Sequence, residues 1–253
     1  MFRPRVIPVL LLKGQGLVKT VKFKAPTYIG DPMNAVKIFN DMEADELIFL
    51  DIMATSENRI PSFDLIQRIG DEAFMPFAVG GGIKSVEEVK RLIRAGAEKI
   101  VINSAAFNKQ ELVRGAADAA GSQSVIVAMD VRRNLFGKQI VYVESGKKST
   151  GIAPEKYAEN MQRSGAGEIM LNSIERDGMM AGYDIDLIKR VSQAVDIPVV
   201  ACGGAGSTQH FAEVVKTGSA SAVAAGSMFV YHGSRKGVLI NYPDKKELET
   251  IFN

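Results

Sequence analysis

The chain repeats itself once, and this repetition limits the possible folds more than any other feature of the sequence. Three pairs of segments match one another at a single spacing of 122 residues. One offset shared over half the chain predicts two homologous halves, about 1–122 and 123–253, and not a series of short repeats. The pairs are DELIFLDI (45–52) with GEIMLNSI (167–174), MPFAVGGGIKS (75–85) with IPVVACGGAGS (197–207), and INSAAF (102–107) with AAGSMF (224–229).

Within each half, short β-branched apolar runs alternate with longer amphipathic segments. The stretch 85–103 shows one unit, with Ser85 as N-cap, apolar residues at helical spacing, Gly96 as a stop and then a buried strand. Eight such units in 253 residues predict one (β/α)8 barrel domain over 1–253. A doubly wound open sheet is the alternative, but it does not explain two equal halves. The predicted strands are 5–11, 47–52, 76–80, 99–103, 124–130, 168–173, 197–202 and 221–225, and predicted helices include 32–43, 85–95, 154–164, 184–194 and 208–217.

The composition excludes several classes of function. With 31 Lys and Arg against 29 Asp and Glu, a nucleic-acid groove or a polybasic membrane anchor is not expected unless the lysines cluster. Cys202 is the only cysteine, which excludes an intramolecular disulfide or a multi-cysteine metal site and favours the reducing cytoplasm. The apolar run 6–12 is too short to span a bilayer and is predicted to be the first strand. No cofactor motif and no metal site are predicted.

Two glycine clusters, VGGGIKS and CGGAGS, each follow a predicted strand and precede a helix. Glycines let backbone N–H groups approach an anion, and a helix N-terminus adds partial positive charge. Because small residues recur one strand later in each half, we predict two phosphate sites, which suit a substrate with an anion at each end. The candidates are Gly81, Gly82, Asn103 and Ser104 in the first half and Gly203, Gly204, Gly226 and Ser227 in the second.

Several charged residues lie where barrel strands should end. Asp130 closes VIVAMD and is either a general acid or base or the cap of a turn. Asp177, followed by Gly178, has the same two interpretations, and Asp51 is a further candidate for substrate contact. Lys19, in KTVKFK (19–24), belongs either to a mobile lid or to an ordinary solvated hairpin.

Four charged residues of alternating sign fall at predicted strand starts. Because they come from different strands, they are expected to form one ring around the barrel axis at its floor. The ring is either a salt-bridged plug or a gate. Its members are Arg5, Glu46, Lys99 and Glu168.

Taken together, these segments resemble the cyclase subunit of imidazole glycerol phosphate synthase essentially end to end. The matching stretches are RVIPVLLLKGQGLVK, GDP at 30–32, DELIFLDI, VGGGIKS, KIVINSAA, GSQSVIVAMDV, GKKSTG, GAGEIMLNSIERDG, GYD and GGAGS. The resemblance implies a (β/α)8 barrel with a doubly phosphorylated substrate. It also implies a glutaminase partner that docks at the barrel bottom and sends ammonia through the core.

The resemblance also implies roles for individual residues. Asp130 matches one of the two catalytic aspartates, and Lys19 resembles the lysine of the mobile active-site loop. The glycine clusters with Ser104 and Ser227 match the phosphate sites, and the ring of four charges looks like the ammonia gate. The ring is therefore interpreted as a gate in preference to a plug.

One residue departs from the family pattern. The first strand reads IPVLLL where the family has IPCLDV, so Leu11 stands in place of the other catalytic aspartate. Leucine cannot transfer a proton, and loss of a positioned acid or base costs ~10²–10⁴-fold in rate. LLLK, KTVKFK and the tail GVLINYP resemble a paralogous branch associated with surface-polysaccharide synthesis, in which ammonia serves a separate sugar amidotransferase.

Three functions are thus open. The leading hypothesis is a barrel subunit that supplies ammonia for nucleotide-sugar amidation. The second is a cyclase of histidine biosynthesis that works with Asp130 and an unidentified base, and the third is a non-catalytic conduit and scaffold. Leu11 disfavours the second hypothesis, and the phosphate-site glycines disfavour the third.

Overall fold

The computed structural model describes residues 3–233 and 235–253, which form a closed barrel of eight parallel strands with helices outside. Each strand pairs with its neighbours in chain order, and the last strand pairs with the first. The predicted (β/α)8 barrel is confirmed, and the open-sheet alternative is wrong. The barrel strands β1 to β8 are Arg5–Lys13, Leu47–Asp51, Phe77–Gly80, Lys99–Ile102, Val125–Arg133, Glu168–Ser173, Val199–Cys202 and Ala222–Ala225.

Helices follow the strands on the outside of the barrel. Asp31, Ser62, Ser85, Asp184 and Asp244 each begin a helix by accepting a backbone N–H with the side chain, which satisfies donors that the first turn leaves free. The helices α1 to α9 are Pro32–Asp41, Phe63–Glu72, Val86–Arg94, Ser104–Asn108, Gln110–Ala120, Pro154–Arg163, Ile185–Ala194, Thr208–Gly218 and Lys245–Phe252. Short 3₁₀ turns lie at Ser122–Ser124 and Ser227–Phe229.

Strand pairing keeps the spacing of the sequence repeat. Leu47 lies opposite Phe77 in the first half, and Ile169 lies opposite Val199 in the second, so both partners are displaced by the same 122 residues. The division into half-barrels at about residue 122 stays a prediction.

Three antiparallel hairpins follow the carboxyl ends of barrel strands, of which the shortest pairs Tyr231–His232 with Gly237–Val238 after β8. The lid hairpin, Gly16–Val21 with Lys24–Gly30, pairs with the end of β1. The long hairpin joins β5 to the strand Gln139–Val143, which then pairs with Lys148–Ser149. Lys22 and Phe23, with positive φ values of 51° and 61°, form the turn of the lid hairpin.

The apolar residues form two separate cores. The larger core fills the space between the sheet and the helices, as parallel sheets require. The smaller core lies inside the barrel and leaves an apolar axis between its two ends. Its members are Ile7, Val9, Ile48, Ala78, Val101, Ile126, Met170, Val200, Cys202, Ala222 and Ala224, with Leu11, Leu50 and Ala128 packed against them.

No helix among the described residues has the length and apolar character needed to cross a membrane.

Substitution of Gly82 tests how tightly the loop after β2 packs against the loop after β3. Gly82→Ala is expected to lower the free energy of unfolding by about 2–5 kcal/mol, because φ is +66° and the new Cβ would collide with the Arg59 carbonyl oxygen. Gly14→Ala is the matched control, since φ is +61° there and no heavy atom lies within 4 Å of the new Cβ. It should cost only ~1–2 kcal/mol. Equal losses in urea unfolding would contradict the packing argument.

Candidate active site

Asp130 lies within β5 at the barrel mouth, where two amide side chains hold its carboxylate. Asn103 Nδ2 donates to Oδ2 at 2.9 Å, and Asn172 Nδ2 donates to Oδ1 at 3.2 Å. Burial raises the pKa of Asp130 to about 6; the two amide hydrogen bonds oppose this rise, and the charge of Asp177 adds to it. A carboxyl group with this pKa can donate or accept a proton near neutral pH.

Leu11 occupies the position across the barrel that corresponds to Asp130. Leu11 lies opposite Leu50 in the pairing of β1 with β2, just as Asp130 lies opposite Asn172 in the pairing of β5 with β6. Leu50 and Asn172 are related by the 122-residue repeat. Leu11 and Leu50 are half-buried and pack on the inner core, so this side of the mouth is apolar.

Lys19 reaches from the lid hairpin into the mouth. Its side chain is buried, with only 5% of the residue exposed, and Nζ donates to the carbonyl oxygen of Val9. Burial lowers the pKa of Lys19 to about 8, against the opposing attraction of Asp177. Nζ also lies against Gly226, where a Cβ atom would collide with it. Lys19 thus joins the lid hairpin to one of the predicted phosphate loops.

Asp177 fixes the lid hairpin over the mouth. Its carbonyl oxygen accepts from Lys22 N at 3.0 Å, and its Oδ2 accepts from Thr20 Oγ1 and Phe23 N, both at 3.4 Å. Burial raises the pKa of Asp177, while Lys19 and these hydrogen bonds oppose the rise. Gly178, with φ +71°, leaves room for the carbonyl oxygen of Thr20. Asp177 therefore contacts the lid hairpin in this structure.

Asp51 anchors the loop that follows β2. Its carboxylate pairs with the Arg59 guanidinium at 2.5 Å and accepts from Met53 N at 3.0 Å and Ala54 N at 3.1 Å. The Arg59 carbonyl oxygen in turn packs on Gly82. Asp51 thus supports the first glycine cluster through this loop.

The two predicted phosphate loops are each assembled from neighbouring strands. In the first half, β3 and β4 are paired, and in the second half β7 and β8 are paired. Consequently, the small residues that follow these strands lie side by side at the mouth. They are Gly81 and Gly82 beside Asn103 and Ser104, and Gly203 and Gly204 beside Gly226 and Ser227.

Hydrogen bonds within the loops already use some of these groups. Ser104 Oγ donates to Asn103 Oδ1 at 3.1 Å and accepts from Glu144 N at 2.9 Å. At the second loop, Ser207 precedes α8 without a side-chain cap, so the N–H groups of Thr208 and Gln209 keep their donors for another acceptor, whereas His210 N donates to the Ser207 carbonyl oxygen at 3.2 Å. Ser227 is buried beside this loop.

The four predicted ring residues meet at the other end of the barrel. Arg5 pairs with both Glu46 and Glu168. Lys99 Nζ closes the ring at 3.0 Å from Glu46 and 3.2 Å from Glu168. The glutamates are only 2% and 4% exposed, so their charges need both cations. The structure brings all four together, while their role as plug or gate stays a prediction.

Sequence reasoning missed two contributors to the mouth, Thr20 and Arg59: the partner of Thr20 lies 157 residues away, and Arg59 pairs with Asp51 across an irregular loop. Asn172 carried a signal, as a polar residue at a predicted strand end. Among the described residues, no donor reaches its buried Oδ1. The described part of the chain also contains no group of three His, Cys, Asp or Glu side chains suited to a metal ion.

The whole chain resembles a known protein family and several named proteins. Residues 5–235 match the family described as "Histidine biosynthesis protein". A Pseudomonas aeruginosa protein provisionally named imidazole glycerol phosphate synthase subunit hisF2 is 47% identical over 249 residues, or 98% of this chain and 99% of its own. A Leptospira interrogans protein with a similar provisional name is 45% identical over the whole of both chains. Imidazole glycerol phosphate synthase subunit HisF of Alkaliphilus metalliredigens is 43% identical over 92% of each chain.

The titration of Asp130 tests the geometry of the mouth. Its carboxyl signal in ¹³C NMR, assigned by its loss in Asp130→Asn, should titrate near pH 6. Asn172→Ala removes a donor to the charged form, worth ~1.5–3 kcal/mol, and should move the midpoint to about 7 or above. Ser173→Ala, the next residue of β6, is the control and should leave it unchanged.

This titration also fixes the sign of the pH dependence of stability. Because the pKa of Asp130 is higher in the folded chain than in the unfolded one, ionisation disfavours the fold, and stability falls as pH rises from about 4 to about 6. Asp130→Asn should reduce this slope in urea unfolding, while Asp177, whose pKa burial also raises, keeps its own contribution. An unchanged slope would contradict the burial of the charge.

Proposed function

The chain belongs to the HisF family of imidazole glycerol phosphate synthase cyclase subunits, and from this premise we propose that it passes ammonia from a glutaminase to an acceptor other than the substrate that the family cyclises. The observation that carries the proposal is Leu11. It stands opposite Asp130 on the barrel, where the family resemblance places a second catalytic aspartate. Ring closure coupled to proton transfer needs an acid and a base, and this mouth has one carboxylate where the family has two.

The floor and the interior of the barrel support ammonia transfer. The ring of Arg5, Glu46, Lys99 and Glu168 lies on the axis at the amino ends of the strands. Above it, the inner core is lined by aliphatic side chains. An apolar passage admits neutral ammonia and opposes ammonium, because burying an unpaired charge is costly. Breaking one ion pair of the ring would open this passage.

A glutaminase is proposed to dock at the same end. The exposed apolar side chains of Met42 and Phe74 lie there, because they precede β2 and β3. Phe74 is 87% exposed although Asn40 Oδ1 fixes its backbone N–H at 2.9 Å. Phe74 is thus an ordered, exposed phenylalanine near the ring of four charged residues. Protein interfaces commonly have such an aromatic anchor surrounded by polar residues.

The proposed acceptor is a nucleotide sugar whose acetamido group becomes an amidine on a separate amidotransferase. There ammonia forms a C=N bond to the acetamido carbon, and the carbonyl oxygen leaves with a phosphoryl or nucleotidyl group that the amidotransferase takes from a nucleoside triphosphate. Support for this acceptor comes from the sequence, in which LLLK, KTVKFK and GVLINYP resemble the polysaccharide-associated branch. The phosphate loops suit a phosphorylated ligand that signals the state of the acceptor to the barrel.

The second candidate is a cyclase of histidine biosynthesis. The raised pKa of Asp130, the buried Lys19 and the two glycine loops favour it. Relatives named as HisF subunits are 40–44% identical to this chain. The third candidate, a conduit without its own ligand, gives no reason for the paired phosphate loops.

Turnover of the doubly phosphorylated cyclase substrate in saturating ammonium at alkaline pH separates these functions, because free ammonia bypasses the glutaminase. The wild-type chain should show at least ~10²-fold less turnover than an ordinary cyclase. Turnover within about tenfold of that cyclase would overturn the proposal.

Leu11→Asp in the same assay measures how far the mouth has diverged. If the loss lies in the missing carboxylate, turnover should rise ~10²–10⁴-fold. Asp130→Asn in the Leu11→Asp background should abolish the gain. Leu11→Asn, which matches aspartate in size without a titratable group, should give none.

The ring is tested by comparing two nitrogen sources. Lys99→Ala should change glutamine-driven amidation several-fold and spare ammonium-driven amidation, since only the former passes the ring. Arg3→Ala is the matched control, because Arg3 pairs with Asp45 at 2.6 Å at the same end but outside the ring. If Lys99→Ala changes neither activity, the ring is a structural plug.

A further inference from the structure

The basic residues of this nearly neutral chain are not evenly spread. Three turns at the carboxyl end of the barrel, residues 22–24, 132–138 and 144–148, carry seven Lys or Arg and one acidic residue, Glu144. Their formal charge is therefore +6, against +2 for the whole chain. The overall charge balance gave no reason to expect a basic surface, but the fold brings these basic residues together at one end of the barrel.

Two of the turns contact each other beside the mouth. The ring of Phe23 packs against Gly146, where a Cβ would lie 3.2 Å from it. The third turn is the tip of the long hairpin, residues 132–138, which continues from β5 beyond Asp130. Within the described residues, two of the seven cations have an acidic partner, Arg133 at 3.9 Å from Glu175 and Lys148 at 3.6 Å from Glu144, and the other five form no salt bridge. The positive charge is thus largely uncompensated.

The apex of the long hairpin exposes two adjacent apolar side chains. Leu135 is fully exposed, and Phe136 is 87% exposed. The turn is nevertheless ordered, because Asn134 Oδ1 accepts from Phe136 N at 2.9 Å and Lys138 N at 3.0 Å. Arg133 Nη1 adds a bond to the Gly137 carbonyl oxygen at 3.1 Å. An ordered turn that exposes adjacent leucine and phenylalanine side chains to water indicates a binding surface.

We propose that this end of the barrel binds the surface of an anionic lipid bilayer, with Leu135 and Phe136 inserted at the boundary between headgroups and acyl chains. The basic side chains of the three turns then face the lipid headgroups. Apolar insertion combined with a basic surround is the chemistry of reversible membrane-surface binding. The proposal is independent of the ammonia acceptor.

The shape of the surface favours a bilayer over a protein partner. The apolar pair lies at the apex of a convex two-stranded projection, and a protein would need a matching concave pocket. A bilayer accepts such a projection without a preformed pocket. Phosphate ligands of the mouth explain basic residues but give no reason for Leu135 and Phe136.

Fluorescence provides a direct test, because the chain contains no tryptophan. Phe136→Trp places a single reporter at the hairpin apex. Phe74→Trp is the matched control, since Phe74 is equally exposed, at 87%, at the opposite end of the barrel. The probes are vesicles of equal parts phosphatidylglycerol and phosphatidylcholine, and vesicles of phosphatidylcholine alone.

With phosphatidylglycerol vesicles, Phe136→Trp should shift its emission to shorter wavelength and be quenched by brominated lipid. Phe74→Trp should do neither. Co-sedimentation of the wild-type chain with these vesicles should weaken at least ~10-fold in Leu135→Ser/Phe136→Ser and remain unchanged in Phe74→Ser. Added salt and pure phosphatidylcholine should both weaken binding.

Three outcomes would overturn the proposal. One is the absence of any lipid-dependent shift in a folded Phe136→Trp chain. Another is an equal shift in Phe74→Trp, which would show non-specific adsorption. The third is a shift that grows with protein concentration in the absence of lipid, which would make the hairpin a contact between copies of the chain.

Discussion

Closure of the sheet is the constraint on which the rest of the molecule depends. β8 pairs with β1 from Arg5–Ala222 to Pro8–Ala225, and β4 pairs with β5 from Ile100–Val125 to Ile102–Val127. These two seams join the repeated halves. Each half alone would expose two strand edges and half of an apolar interior. Closure pairs these edges and buries this interior. It also brings strands that are distant in sequence to a common axis, so both ends of the barrel become sites.

The two ends solve the burial of charge differently. At the floor, two nearly inaccessible glutamates share Arg5 and Lys99 in a closed alternating ring, so each charge has two opposite neighbours. Removing one member leaves each of its two neighbours with a single counter-charge, so a buried charge loses part of its compensation. At the mouth, Asp130 has amide donors and no directly paired cation. Burial therefore raises the pKa of Asp130, which suits this carboxyl group to proton transfer near neutral pH.

The sequence predicts the barrel because every strand is an apolar run and the repeat fixes their number. It predicts the ring as well, because charged residues at strand starts must meet on the axis once the fold is known. It offers the segment 19–24 as a lid or a solvated hairpin but does not place the turn: the turn at Lys22 and Phe23 has no glycine, and Asp177, 154 residues from Phe23, holds it. The pairing of Arg59 with Asp51 and the hydrogen bond from Asn172 to Asp130 likewise lie outside any local pattern.

The asymmetry of the mouth follows from two residue differences within a repeated framework. Asp130 with Asn172 and Leu11 with Leu50 occupy corresponding pairs of strands, yet one pair is polar and the other apolar. A carboxyl group on one side of the mouth serves only atoms within its reach, and on the other side Leu11 offers neither a proton donor nor an acceptor. Asp177 is engaged with the lid hairpin, and Lys19 is a further titratable side chain at the mouth. Its Nζ donates to the Val9 carbonyl oxygen, and it can act as an acid or base only after the lid hairpin moves. Proton chemistry by Lys19 is therefore coupled to the lid, whereas the proposed passage of neutral ammonia along the axis requires no proton transfer.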